Sequence, residues 1–265
     1  MKKFLLILFA VLSVGVADTY YAKLEPVEIY KIKSQVSGAV VKSDIFLEGS
    51  FLKSRVVVAI DDKTDRKNLQ TSLKKLEILK NLLEIDRQNL KNAEQSYKIK
   101  LQNYNRIKNL KTKSRFEKDN QLLLVISASN QLLNAKQALF NLKSQIDDLE
   151  YKIFLLKDTI SKKSILVKDG YLYKLYVKKG DFVAPGTPLM DIADTSKAKA
   201  TIYISYDDFK NLDKKELYID GKKSNEKIKV WKIADTTNIS SYKAEIILPK
   251  PKIFSKVVKI ELKGE

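Results

Sequence analysis

The sequence predicts an α+β, multidomain chain: a long α-helical coiled-coil hairpin inserted into a small β-sandwich, followed by a small β-barrel domain. Three observations predict it. Between residues 62 and 162 there is no Gly and no Pro, and Leu, Lys, Asn, Gln, Glu and Ile dominate, the composition of long helices. The two flanking segments, "SGAVVKSDIFLEGSFLKSRVVVAIDD" and "GYLYKLYVKKGDFVAPGTPLMDIAD", share one rhythm of short apolar strands broken at glycines. After Asp194, strands of alternating hydrophobicity recur about every ten residues, separated by Asn, Asp, Gly and Pro.

Residues 1–17, "MKKFLLILFAVLSVGVA", read as a secretory signal peptide: a Lys pair, an apolar run from Phe4 to Leu12, then Gly15 and Ala17 at the positions that precede a cleavage site. The run is short of the roughly 20 apolar residues that cross a bilayer. Cleavage after Ala17 implies export, and an uncleaved N-terminal anchor is the alternative. No Cys follows the run, which excludes an N-terminal lipid-modified cysteine.

Composition narrows the chemistry. The 265 residues contain no His and no Cys, so Ser/His/Asp and Cys/His nucleophiles, imidazole or thiolate zinc sites and dithiol redox chemistry are all excluded. Fifty Lys and Arg against 32 Asp and Glu give a net charge of +18. Such a balance suits nucleic acid, an anionic membrane or an acidic partner. The lysines are spread over the whole length, however, as on a solvated surface, and export disfavours nucleic acid.

Residues 18–61 hold an N-terminal strand and the first half of the sandwich, with Gly38 and Gly49 at its turns. Residues 62–162 are the hairpin. In its first half Leu69, Leu76, Leu83, Leu90, Tyr97 and Tyr104 recur every seven residues, with Leu73 and Leu101 in the partner position. In its second half Val125, Leu132, Leu139, Ile146, Ile153 and Ile160 do the same, with Ala128, Ala135, Leu142, Leu149 and Leu156 three residues later. Sustained heptads mean a left-handed coiled-coil seam. The partner offset is four residues in the first half and three in the second, and the stretch 108–119 is polar. Both favour a chain that turns back over one unbroken helix paired with another molecule. Residues 163–194 supply the second half of the sandwich, with Gly170, Gly180 and Gly186 at its turns. Residues 195–265 form a small barrel or sandwich.

Three polar sets have bland readings. Lys63, in the triplet Asp62–Lys63–Thr64, reads as the first turn of the hairpin rather than as a modified lysine. Tyr171, Tyr173 and Tyr176 read as packing residues rather than a ligand platform. Asp207 with Asp208, and Asp147 with Asp148, read as solvated faces, because adjacent side chains diverge.

The two glycine-punctuated segments resemble the halves of a lipoyl-like (biotinyl-carrier-like) domain as split in the HlyD-like membrane-fusion proteins, and the resemblance covers roughly residues 27–265. One departure is visible: Lys53, Ser54 and Arg55 stand where the family has Lys-Lys-Gly, so a tight turn is built without glycine. The resemblance implies a non-enzymatic periplasmic adaptor, without cofactor or nucleic acid, that links an inner-membrane transporter to a TolC-like outer-membrane channel. It also implies the barrel form for residues 195–265, and a homo-oligomeric ring or tube. The transporter is an ABC-type or proton-driven pump, and the short sequence after the barrel leans towards the former. At the hairpin tip, Arg106 and Leu110 match the family's channel-docking residues, and Ser114 follows at a shortened spacing. The alternatives are a periplasmic coiled-coil spacer without a transporter and a lipoyl-type carrier subunit.

Overall fold

The computed structural model describes residues 18–233 and 241–264. The predicted leader, 1–17, lies outside them. No described helix is long and apolar enough to cross a membrane.

Helix α1 (Lys63–Ile107) and helix α2 (Arg115–Lys162) form the hairpin. At 1.5 Å per residue each arm is about 70 Å long. Lys63 is the first residue of α1, and its backbone N–H donates to the Asp61 carboxylate. The seam is a cluster of Leu79, Leu142, Ile146, Leu149 and Ile153, with Leu69, Leu76 and Leu83 packed against it. Val125 and Ala128 are buried nearer the tip.

Leu73 is not in the seam. It is 43 % exposed, while Ser72 and Leu79, three residues after Leu69 and Leu76, are buried. Both helices therefore use the same three-then-four spacing, and the difference in phase taken from Leu73 does not exist. The turn alone makes the hairpin.

Leu149→Ala should lower stability by about 2 kcal/mol, the low end for a buried Leu, because a two-helix seam leaves part of the site open to water. Gln145→Ala, on an exposed face, should change it negligibly. Helix melting followed by circular dichroism measures both.

The hairpin leaves and re-enters one β domain. Strand β3 (Phe51–Ile60) feeds α1, and α2 feeds β4 (Ser164–Leu175). The two pair antiparallel, Ala59 opposite Ser164, so the halves are joined where the helices begin. Lys163 fastens this base: its ammonium donates to the Asp61 carbonyl at 2.7 Å and pairs with Asp65 at 2.5 Å. With β2 (Gly38–Ser43), β5 (Phe182–Val183) and β6 (Pro188–Ile204), the sheet order is β5-β2-β3-β4-β6. Val40, Val58 and Ile60 from the first half share a core with Leu172, Leu189 and Ile192 from the second.

The halves repeat each other down to single contacts. Gly38 (φ 155°) and Gly170 (φ 148°) each lie against an isoleucine 22 residues on, Ile60 and Ile192. A Cβ at either would stand 2.6 Å or 2.5 Å from that side chain, so only Gly fits. Gly49, Gly180 and Gly186 sit at positive φ in turns. Ser54 takes φ 46°, the left-handed conformation glycine would have adopted in the departure from Lys-Lys-Gly.

Two of the three tyrosines correct the packing expectation. Tyr171 packs edge to face on Phe51. With Leu172 in the core, alternation turns Tyr173 outward, 58 % exposed, and a register shift between Leu172 and Lys174 then brings Leu175 into the core and leaves Tyr176, just after β4, outward.

The second β domain is built round Ala22, Leu24, Ile202, Ile204, Ile246, Ile260 and Leu262. Its strands are β1 (Asp18–Lys33), β6, β7 (Lys215–Ile219), β8 (Lys222–Ser224), β9 (Ile228–Val230), β10 (Tyr242–Pro249) and β11 (Val257–Gly264). Two of them are shared with the first domain. Residues Asp18–Lys23 of β1 pair with β11, and Leu24–Lys33 pair with β6. Likewise β6 runs unbroken through Asp194 from one core to the other. The barrel thus takes its first strand from the chain's N-terminal segment, which the sequence alone had placed with the sandwich.

The short helix α3 (Tyr206–Lys210) overturns one expectation. Asp208 is fully buried rather than solvated. It accepts hydrogen bonds from the Tyr20 hydroxyl and the Lys215 ammonium, and Lys215 also reaches Asp18 at 2.9 Å. Asp207, Asp147 and Asp148 are exposed, as expected.

Candidate interaction surfaces

Two surfaces of the hairpin are candidates, its tip and its flanks. At the tip the chain turns through residues 108–114 without Gly or Pro. What ends the turn is a capping box. Ser114 is the N-cap of α2: its hydroxyl accepts from the Glu117 N–H at 3.2 Å, and the Glu117 carboxylate accepts from the Ser114 N–H at 2.9 Å. Lys113 also pairs with Glu117 at 3.0 Å. The Ser114 backbone bond, with Lys113, holds the Glu117 carboxyl below its ordinary range. The Ser-x-x-Glu spacing was present in the sequence and is the signal that marks this turn.

Ser114→Ala should cost about 1 kcal/mol, the usual loss of an N-cap. It should also speed amide exchange in the first turn of α2, measurable by hydrogen–deuterium exchange.

Arg106 lies in the last turn of α1 and is exposed, with no ion pair among the described residues. Together with Asn103, Ile107, Lys113, Glu117, Asn120 and Gln121 it lines a shallow groove between the two helix ends. Leu110 projects from the loop, half exposed, and Phe116 is more exposed still. From 106 to 119 the chain carries six cations (Arg106, Lys108, Lys111, Lys113, Arg115, Lys118) against Glu117 and Asp119. The tip thus offers a free guanidinium fork and two apolar side chains in a positive field. The hydroxyl of Ser114, in contrast, is already engaged by its own helix.

The flanks carry a signal that the sequence reading missed. On α2, Ile126, Leu133, Phe140 and Phe154 lie on a seven-residue step, one residue after seam positions, interrupted at Asp147. They stay 48 %, 60 %, 73 % and 64 % exposed. On α1, Ile78, Ile85 and Ile99 lie on the same step two residues after seam positions, interrupted at Asn92, and are also exposed. In an antiparallel pair these two offsets project on opposite flanks, since each lies about 130° from the seam in opposite senses. A solvated helix has no reason to space large apolar residues by seven.

No carboxylate cluster among the described residues is arranged to hold a metal ion.

No family model matches the sequence, and no curated protein matches it. Solved structures do match in fold. MacA from Actinobacillus actinomycetemcomitans superposes with a TM-score of 0.62 at 22 % identity, over 95 % of this chain and 79 % of that one. A putative efflux transporter from Bacteroides eggerthii superposes with a TM-score of 0.51 at 14 % identity, over 94 % and 69 %. The membrane fusion protein Spr0693 from Streptococcus pneumoniae aligns at 12 % identity over 94 % and 99 %, with a TM-score of 0.49. A helical hairpin rising from a split β domain, with a second β domain beside it, is the membrane-fusion-protein fold, and this chain has it.

Proposed function

We propose that the chain is a non-enzymatic periplasmic adaptor whose copies assemble side by side and link an inner-membrane transporter to an outer-membrane channel. The observation that carries this reading is the pair of heptad-spaced apolar stripes on opposite flanks of the hairpin. When the α1 stripe of one copy covers the α2 stripe of the next, the contact is heterologous. Repeated, such a contact closes into a ring when the rotation between copies allows. A ring of hairpins about 70 Å long is a tube.

The positive tip, with Arg106 and Leu110 free, would then face the channel, while the β domains at the other end face the transporter. Arg106 suits backbone carbonyls or carboxylates, because its planar fork donates several parallel hydrogen bonds. The membrane-fusion fold supports the same reading, and one structure that shares it is of a putative efflux transporter.

Co-purification of the tagged protein from detergent-solubilised envelopes tests it. A transporter and a channel should both come down with the wild type, and Arg106→Asp should retain the transporter and lose the channel. Recovery of the protein with neither would leave a coiled-coil spacer as the better account.

A further inference from the structure

A cleft of about 360 Å³ lies where the two β domains meet. Its volume falls in the range of small-molecule sites, about 300–1,000 Å³. One wall is the outward face of the sandwich, with Phe51, Tyr171 and Tyr173. The other is the loop between β10 and β11, with Lys252, Ile253 and Phe254. Pro26 and Thr195, on the two strands shared by both domains, form its floor.

The fold fixes these groups. Phe51 and Tyr171 are cross-strand partners on β3 and β4 and stack edge to face, ring centroids 5.1 Å apart. Alternation along β4, which sends Leu172 into the core, turns Tyr173 out beside them. The loop is pinned to β1 by two backbone bonds, Leu24 N–H to the Lys256 carbonyl and Ser255 N–H to the Leu24 carbonyl. Ser255 takes φ 66°, the left-handed conformation that folds the loop over the cleft. The ammonium of Lys250 sits 5.2 Å from the Phe51 ring centroid.

Phe51, Tyr173 and Ile253 are nonetheless more than half exposed. Three large apolar side chains converging on one concavity without burying one another mark a recognition surface more than a core. The one charged residue of the lining is Lys252. The lining contains no carboxylate, and Lys252 has no ion-pair partner among the described residues. Lys250 adds a second cation at the rim.

We propose that this cleft binds a small aromatic anion. The rings would lie against Phe51, Tyr171 and Tyr173 in offset or edge contact, and the carboxylate, sulfonate or phosphate would meet Lys252. The inference does not depend on the adaptor reading. Because β1 and β6 run through both domains beneath the cleft, an occupant would touch both walls and restrain one domain against the other.

The test uses 8-anilinonaphthalene-1-sulfonate as probe, titrated into the intact protein by calorimetry and fluorescence. One saturable site per chain is expected. Lys252→Glu and Tyr173→Ala, both exposed and outside either core, should each weaken it about tenfold, the worth of one charge-assisted or stacking contact. Phe140→Ser, on the hairpin flank, should leave it unchanged. The uncharged N-phenyl-1-naphthylamine should bind more weakly and be indifferent to Lys252→Glu. Affinity for the sulfonate that both cleft variants leave intact, or that Phe140→Ser alone abolishes, overturns the proposal. Equal affinity for the two probes overturns the assignment to anions.

Discussion

Lys215→Met should destabilise the second β domain by about 3–5 kcal/mol, the cost of leaving a buried charge without its partner. Asp208 is fully enclosed, and among the described residues the Lys215 ammonium and the Tyr20 hydroxyl donate to it in place of the water it has lost. Burial pushes the Asp208 carboxyl up, but its hydrogen bonds from Lys215 and Tyr20 outweigh burial and hold it below the ordinary carboxylate range. Lys215 is moved up in turn: burial lowers it, and bonds to Asp208 and Asp18 more than offset that. Tyr20 is pushed up to about 12, by burial and then by its bond to Asp208.

The signs give a stability window. A lowered carboxyl contributes stability above its unfolded value, about 4, and loses it as pH falls through the folded value. A raised Lys and a raised Tyr contribute below their unfolded values, near 10, and lose it as pH rises through the folded ones. Thermal melts should therefore be flat from about pH 4 to 10 and fall on both sides. In Lys215→Met the domain should melt far lower across that range. The double variant Asp208→Leu/Lys215→Met should regain much of the loss, because removing both charges removes the desolvation cost as well. A double variant as unstable as the single one would mean that the effect is packing, not charge.

The second large effect concerns assembly. Leu133→Asp with Phe140→Asp should abolish side-by-side oligomers while leaving the hairpin folded. These residues project away from the seam and are 60 % and 73 % exposed, so the monomer loses nothing by their change. An assembly that buries them would have to bury two carboxylates against the Ile85 and Ile99 stripe of the next copy, which the Lys80–Glu150 pair places nearest their level on the hairpin, at several kcal/mol each. Sedimentation velocity of wild type and variant at matched concentration, with circular dichroism as the check on fold, reads the result. Identical oligomer distributions would remove the stripes from the assembly.

Most of the architecture is legible in the sequence because its signals are periodic. Heptads over about a hundred residues survive a local misreading: Leu73 was placed in the seam since Ser72, the true occupant, is polar and does not register as apolar periodicity. The glycines were visible as punctuation, but Gly38 and Gly170, expected at turns, lie in β2 and β4, where they make the same contact twice, against Ile60 and Ile192. What could not be read depends on contacts remote in sequence. Asp208 is buried because Tyr20, 188 residues away, covers it. Tyr176 turns outward because of a register shift between Leu172 and Lys174 that no composition announces. The membership of β1 in both domains follows from its pairing with β6 and β11, which come from the far end of the chain. The capping box and the flank stripes are a different case, since both are written in the sequence: Ser114 with Glu117 at the cap spacing, and Leu133, Phe140 and Phe154 beside seam positions that drew the eye first.

The chain has no cysteine, so Leu110→Cys creates a single reactive site at the hairpin tip. Bifunctional crosslinking of that variant in intact cells is the most direct test of the adaptor reading. The account predicts one dominant adduct with an outer-membrane channel, lost when Arg106→Asp is added and kept when Gln145→Ala is added instead. Adducts to no channel, or a channel adduct that Arg106→Asp leaves unchanged, would contradict it.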